Sequence, residues 1–356
     1  MKTGSAWLIA GVWGISMTLE AGPARLWTNP GWSEFAETPG TRPGEVVLTS
    51  PVWDAGQAWN KVVASWNAAP SVALQVEVRP VPPEDSRFYS FGTWTARPDS
   101  DSPRTSLNNQ KDAVASMHTD TLVLKEPATR FQVRVTVKGA RRDVKAVYLA
   151  FTDTTVPAET SEVRSAWAWD LGVPIRSQAE FPEGVDKWCS PTSTSMLLAY
   201  WAEQRKRPDW DQPVQDTAAG VFDPGWGGTG NWPFNMAFAG SHDGLRACVS
   251  RLGGMADLER WILSGAPAAV SVSYALLKGK PAAESGDGHL VVVRGFTPEG
   301  DVIVNDPGVR RERVRRVFPR ADFIRAWNYS DRTAYLVWPE DHLVPVGSVF
   351  PPRFGP

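Results

Sequence analysis

Between Glu45 and about Asp153 the apolar residues come in short runs, and several of these alternate with polar residues at every second position. The runs are Val46–Thr49, Val62–Trp66, Val72–Val78, Thr121–Leu124, Phe131–Val137 and Val144–Phe151. A period of two places one face of a strand inward, and these runs are rich in the β-branched residues that strands favour. Turn clusters such as Pro80-Val81-Pro82-Pro83-Glu84-Asp85 and Lys138-Gly139-Ala140-Arg141 separate them, and no helical period intervenes. The pattern predicts an all-β sandwich over residues 45–155. Residues 25–44 are rich in Pro, Gly, Thr and Glu and read as a linker.

The pattern changes across Asp153 to Trp169, which marks a boundary. A helix is predicted over Ser193–Gln204, with Leu197 and Trp201 one turn apart. Asn231-Trp232-Pro233 reads as an N-cap followed by a first-turn proline, leading into Phe234–Ala239. Met255–Leu263 is a third helix, ended by Gly265 and Pro267. Strands follow over Ala268–Ser273, His289–Phe296, Asp301–Asn305 and Ala334–Trp338. Helices first and an antiparallel sheet after give an α+β unit over residues 165–345. No internal repeat is visible.

The chain has 356 residues, enough for two ordinary cores. A net charge of −2 argues against nucleic acid or an anionic membrane surface as a partner. The run Arg310-Arg311-Glu312-Arg313-Val314-Arg315-Arg316 is a local exception and reads as the solvated face of an edge strand or hairpin. Met1-Lys2, the mostly apolar Ala6–Leu19 and Glu20-Ala21-Gly22-Pro23-Ala24 follow the order of a secretory signal over residues 1–24. That order implies export, with a cytoplasmic protein as the alternative. The apolar run is short and glycine-bearing for a membrane span, and no later segment approaches one. The 18 tryptophans and 30 prolines suit a compact, loop-rich exported protein. Two cysteines cannot build a disulfide scaffold. A Cys189–Cys248 bridge is open on sequence, but Cys248 sits in a strand-like run and reads as core. No metal-ligand spacing or nucleotide fingerprint occurs, so no cofactor is expected.

Cys189 lies where the polar segment Asp186-Lys187-Trp188 meets the predicted helix. Unpaired N–H groups and the helix dipole at such a start favour a thiolate, the nucleophilic form. A nucleophile needs a base, and the base needs an orienter. Of four histidines, His289 opens a strand through Gly286-Asp287-Gly288 and so stands on a rigid element with space before it. If His289–Phe296 and Asp301–Asp306 form a hairpin across Thr297–Gly300, their far ends meet and bring Asp306 to His289. Asn305 is the neighbour with which Asp306 is most easily confused. Gln178, shortly before the cysteine, carries an amide suited to an oxyanion beside the Cys189 backbone N–H.

The order Val173-Pro174-Ile175-Arg176-Ser177-Gln178, Trp188-Cys189-Ser190-Pro191-Thr192-Ser193, Gly288-His289-Leu290-Val291-Val292 and Asn305-Asp306-Pro307 resembles the C39-like cysteine peptidases. These are papain-like relatives of bacteriocin-processing peptidases. The resemblance spans about Leu171 to Trp338 and implies a site of Gln178, Cys189, His289 and Asp306. It also implies a peptide or protein substrate. Ser190 departs from the glycine that often follows the cysteine. The first half resembles, more loosely, the β-sandwich region that precedes such domains in some exported bacterial proteins.

Three functional classes follow from this reading. The first is a thiol hydrolase acting on a peptide or isopeptide bond. The second is an acyl or amide transferase using the same thiol. The third is a binder of glycan or cell wall whose peptidase-like half is inert. Trp53, Trp59, Trp66 and Trp94 either pack the sandwich or form a carbohydrate platform, and packing is preferred. The loop Gly225-Trp226-Gly227-Gly228-Thr229-Gly230-Asn231-Trp232 lacks the residues of a phosphate loop. It either walls the cleft with a tryptophan or simply caps the next helix, and the second is slightly preferred.

Overall fold

A computed structural model of the chain describes residues 22–29, 31–281 and 287–352. Most of the segment read as a signal, residues 1–21, lies outside the described residues. Among the described residues the N-terminal half holds nine strands: β1 (Ala24–Thr28), β2 (Ala36–Pro39), β3 (Glu45–Thr49), β4 (Trp53–Ala68), β5 (Ala73–Val81), β6 (Tyr89–Thr95), β7 (Ala115–His118), β8 (Thr121–Lys138) and β9 (Val144–Thr152). All pairings are antiparallel. The long β8 is the spine: its first part pairs with β7 and β4, its last part with β3 and β5.

Two expectations change here. The runs Thr121–Leu124 and Phe131–Val137 are one strand, not two. The polar middle containing Pro127 is no turn; it lies beside the part of β4 where the register shifts between Asp54 and Lys61. Residues 25–44 are not a linker. β1 pairs with β9, burying Ala24 and Leu26. β2 pairs with β3 while all four of its residues stay exposed. An exposed edge strand has no apolar alternation to announce it, and β1 is only five residues long.

The tryptophans settle inward. Trp59, Trp66 and Trp94 are wholly buried, and Trp53 joins an aromatic cluster with Trp27, Phe35 and Phe131. The carbohydrate platform they could have made is therefore not on the surface.

The second half runs α1 (Cys189–Arg205), α2 (Val214–Val221), α3 (Trp232–Gly240), β10 (Leu245–Arg251), α4 (Met255–Leu263), β11 (Ala268–Ser273), α5 (Tyr274–Leu277), β12 (Gly288–Phe296), β13 (Val302–Asn305), β14 (Arg315–Phe318), α6 (Arg320–Asn328) and β15 (Thr333–Pro339). Its antiparallel sheet has the order β10-β15-β11-β12-β13-β14. Helices packed on this sheet make the α+β class expected. α1 is buried along most of its length, and its polar side chains find partners there: Thr194 donates to Asn235, and Ser195 to the Gln212 carbonyl. Asn231 caps α3, accepting from the Phe234 N–H at 3.2 Å. The basic run ends in β14, an edge strand, as its charge suggested. Among the described residues no helix is long and apolar enough to cross a membrane.

The two halves share packing. Phe234 and Ala237 of α3 sit in the core of the first half, while Ala24, Leu26 and Tyr148 belong to the core of the second. Asn67 on β4 bonds the backbone of Ala247 on β10 in both directions, at 2.7 and 3.1 Å. Ser65 accepts from the Val249 N–H at 3.0 Å.

Candidate active site

The helix carrying the candidate nucleophile starts four residues earlier than its apolar pattern suggested, so that Cys189 is its first residue. Trp188 occupies the cap position without a capping side chain, and its ring lies against Phe181. Pro191 has no N–H and that of Thr192 is bonded to the Trp188 carbonyl, so in the first turn the Ser190 N–H is left to the thiol. Backbone N–H groups of Ser190 and Leu290 point at the sulfur. Cys189 is half-buried, and both it and the buried Cys248 are free thiols, so no bridge joins them. Ser190, the departure from glycine, has a structural partner: its hydroxyl lies 2.8 Å from the Tyr335 hydroxyl, tying the helix start to β15.

His289 is the second residue of β12 and is buried. Its Nε2 lies 2.8 Å from Asp306 Oδ1, and its ring also hydrogen-bonds the Cys189 thiol, which leaves Nδ1 for the sulfur. Asp306 follows β13 directly and is fully buried. The hairpin brings it there: Val292 pairs with Asn305 across β12 and β13, after a register shift between Val293 and Gly295. Strand alternation separates the two candidates at the end of β13. Asn305 turns the other way, donating to the carbonyls of Val173 and Pro174 and accepting from Arg294.

The electrostatics follow from these contacts. Burial pushes the Cys189 thiol up, but the His289 hydrogen bond and charge outweigh it, with the two backbone N–H groups, and the thiol titrates below its ordinary range. Burial alone would lower His289. Hydrogen bonds to Asp306 and Cys189 reverse that and raise it to about 9. Asp306 is also opposed by burial, yet His289, the Gly308 N–H and Arg316 hold it at about 2. A lowered thiol beside a raised imidazole favours a thiolate–imidazolium pair.

Gln178 opens a 3-10 turn capped by Ser177. Its backbone N–H donates to the Pro307 carbonyl at 3.0 Å, beside Asp306. Its side-chain amide donates one N–H to the Val185 carbonyl at 2.5 Å, in the loop leading to Cys189. The turn thus bridges the Asp306 corner and the cysteine loop. The other histidines serve elsewhere: His242 bonds the Phe238 carbonyl, the His342 ring packs on Trp201, and His118 is the exposed last residue of β7.

Three residues at the site escaped the sequence reading. Tyr274 lays its ring 4.2 Å from that of His289 and donates its hydroxyl to Asp306 Oδ2 at 3.1 Å. Arg316 bonds the same oxygen at 2.8 Å. Gly308 donates its N–H to Asp306 Oδ1, and a Cβ there would come within 2.9 Å of the His289 ring. Nothing in the sequence marked Tyr274. Arg316 lay hidden in a run read as solvated surface. The usable signal was register: β14 pairs with the strand that leads directly into Asp306, with Arg316 opposite Val304.

The glycine-rich loop borders the cysteine segment. The Thr229 hydroxyl donates to the Lys187 carbonyl at 3.0 Å, two residues before Cys189. Trp226 is 50% exposed, and its ring covers Gly228 and Gly230 so closely that a Cβ at either would strike it. Asp223 anchors the loop, accepting from the N–H groups of Ser106 and Gly225 and from Asn231 Nδ2.

Comparison with known proteins places these features in a family. Residues 170–335 match the Peptidase_C39 like family, and residues 44–150 match the Peptidase C39 N-terminal domain. No curated protein matches. A crystal structure from Bacillus anthracis, described as C39-like, is 18% identical and aligns over 48% of this chain and 96% of its own, with a TM-score of 0.36.

Proposed function

The chain belongs to the C39-like peptidase family, and from that premise we propose that it is a cysteine peptidase that hydrolyses a peptide or isopeptide bond through Cys189, His289, Asp306 and Gln178. The observation that carries the reading is the continuous chain of contacts from the Cys189 thiol through His289 to the buried Asp306.

His289 Nδ1 takes the thiol proton, and the thiolate attacks the substrate carbonyl carbon. Negative charge then develops on the carbonyl oxygen. The Cys189 backbone N–H and the second N–H of the Gln178 amide are the proposed donors to it. Collapse of the intermediate expels the amine, which His289 protonates. A water, deprotonated by His289, hydrolyses the thioester and frees Cys189. Asp306 accepts the hydrogen bond from Nε2–H throughout and keeps Nδ1 toward sulfur.

Export is part of the proposal and rests on the order of charged, apolar and small residues in the first 24 positions. N-terminal sequencing of the mature protein is its check. For the chemistry, the experiment is peptide-library cleavage by wild type and Cys189→Ala. The variant should keep the circular dichroism spectrum and lose at least about a thousandfold in rate, as removal of a nucleophile does. Cleavage by the variant at the wild-type rate would end the proposal.

A further inference from the structure

Asp306 is unusual in the company it keeps. A carboxylate that orients a histidine needs one acceptor oxygen for that task. Here Oδ1 accepts from His289 Nε2 and the Gly308 N–H, while Oδ2 accepts from Arg316 Nη1 at 2.8 Å and the Tyr274 hydroxyl at 3.1 Å. The carboxylate is wholly buried, whereas the Arg316 side chain is 31% exposed. Its guanidinium reaches in from edge strand β14, over the Phe318 ring at 4.5 Å. Tyr274 does two things at once: its ring packs against His289 and its hydroxyl holds the orienter.

We infer that Arg316 and Tyr274 are positioning residues that turn Asp306 into a charge-balanced orienter, so that His289 is held by an ion pair of no net charge rather than by a bare carboxylate. This rests on the catalytic roles proposed above for Cys189, His289 and Asp306. The physical reason is that a lone buried carboxylate stabilises imidazolium strongly. An imidazole that binds its proton too tightly is slow to give it to the leaving amine. A guanidinium on the far oxygen opposes that excess without disturbing the bond that fixes the ring. Tyr274 adds direction without charge.

The groups facing the pair from each packed element can be named. Cys189 comes from α1, Tyr274 from α5, Lys278 from the position just after α5, and Arg316 from β14. Lys278 lies over the Tyr274 ring with Nζ at 3.6 Å. Asp287, just ahead of β12, turns its carboxylate to the Ser273 hydroxyl and the Ala275 N–H. Arg316 is the one cation among these that touches Asp306.

The test follows the His289 ring directly and needs no substrate. Protein labelled with 13Cε1-histidine is titrated by NMR, with the His289 signal assigned by its loss in His289→Asn. Alkylation of Cys189 by iodoacetamide is measured over the same pH range. Arg316→Gln should raise the His289 midpoint by about one pH unit, the size expected for losing a neighbouring cation. Arg316→Lys should hold the midpoint near wild type. Arg316→Met keeps the aliphatic stem over Phe318 and serves if the Gln variant does not fold. Tyr274→Phe removes a hydrogen bond but no charge, so it should move the midpoint less than Arg316→Gln does. A midpoint unmoved or lowered in both uncharged Arg316 variants would overturn the inference. A wild-type Cys189 that alkylates like an ordinary thiol would instead sink the catalytic reading, whatever Arg316 does.

Discussion

The thiol and the imidazole share one proton and titrate as a unit. The direction of each shift defines where the reactive pair exists. Cys189 loses its proton below the ordinary thiol range, and His289 keeps its own up to about 9. Between these two events the sulfur is a thiolate beside an imidazolium. Alkylation by iodoacetamide should therefore remain substantial below the free-thiol pKa of about 8.5, where an ordinary thiol is mostly protonated. It should fall only as the pH drops through the lowered thiol value. Labelling that rises with an ordinary midpoint near 8.5 would argue against activation. Cys189, His289 and Asp306 were legible in the sequence because each sits at a local landmark: a helix start, a strand entered through glycine, and an Asp-Pro corner. Arg316 and Tyr274 were not, because their roles depend on sheet register and on the placement of α5, which no local pattern encodes.

Regular elements with strong periodicity were read nearly as they stand. Met255–Leu263 and Ala268–Ser273 match α4 and β11. Elements whose signal is weak were missed: α5 has only four residues, and β2 is exposed throughout. The glycine-rich loop is a third case, in which sequence left two functions standing. The structure shows the cap and leaves the tryptophan ring half-exposed. Asn231 at its end caps α3, and Trp226 is held half-exposed on a bed of glycines. A large ring held on a loop that borders the cysteine segment loses little entropy on meeting an apolar side chain of a peptide. Val185, on the loop before Cys189, is also exposed at 43%. Trp226→Ala should raise KM about tenfold, equivalent to about 1.4 kcal/mol of binding, with kcat little changed. Steady-state kinetics on a peptide cleaved by wild type checks this. An unchanged KM would return the loop to its capping role alone.

At the scale of the molecule, the all-β half is built into the peptidase half rather than appended to it. Asp120, in the turn between β7 and β8, accepts the Trp232 N–H at 2.9 Å and so caps α3 from the other half of the chain. The buried Arg104 donates to the carbonyls of Ala219 and Phe222, at the end of α2. Lys61 on β4 and Arg251 on β10 share Asp331. The sequence showed where the composition changes but not this seam, because shared packing is a property of pairs of distant residues. Asn67 is the sharpest case. Its amide occupies the edge of β10 as a neighbouring strand would, satisfying one N–H and one C=O of Ala247. Asn67→Ala leaves both groups buried without a partner, at a cost of about 2–4 kcal/mol, and should lower the melting temperature by several degrees. Removal of the whole all-β half is the stronger test. A fragment of residues 155–352 would expose Phe234, Ala237 and the β10 edge at once, and would lose the Asp120 cap and the Arg104 bonds. It should be unfolded or aggregated by circular dichroism and sedimentation, and its Cys189 should alkylate as an ordinary thiol. A monomeric fragment that keeps the wild-type alkylation profile would show that the all-β half is dispensable to the site.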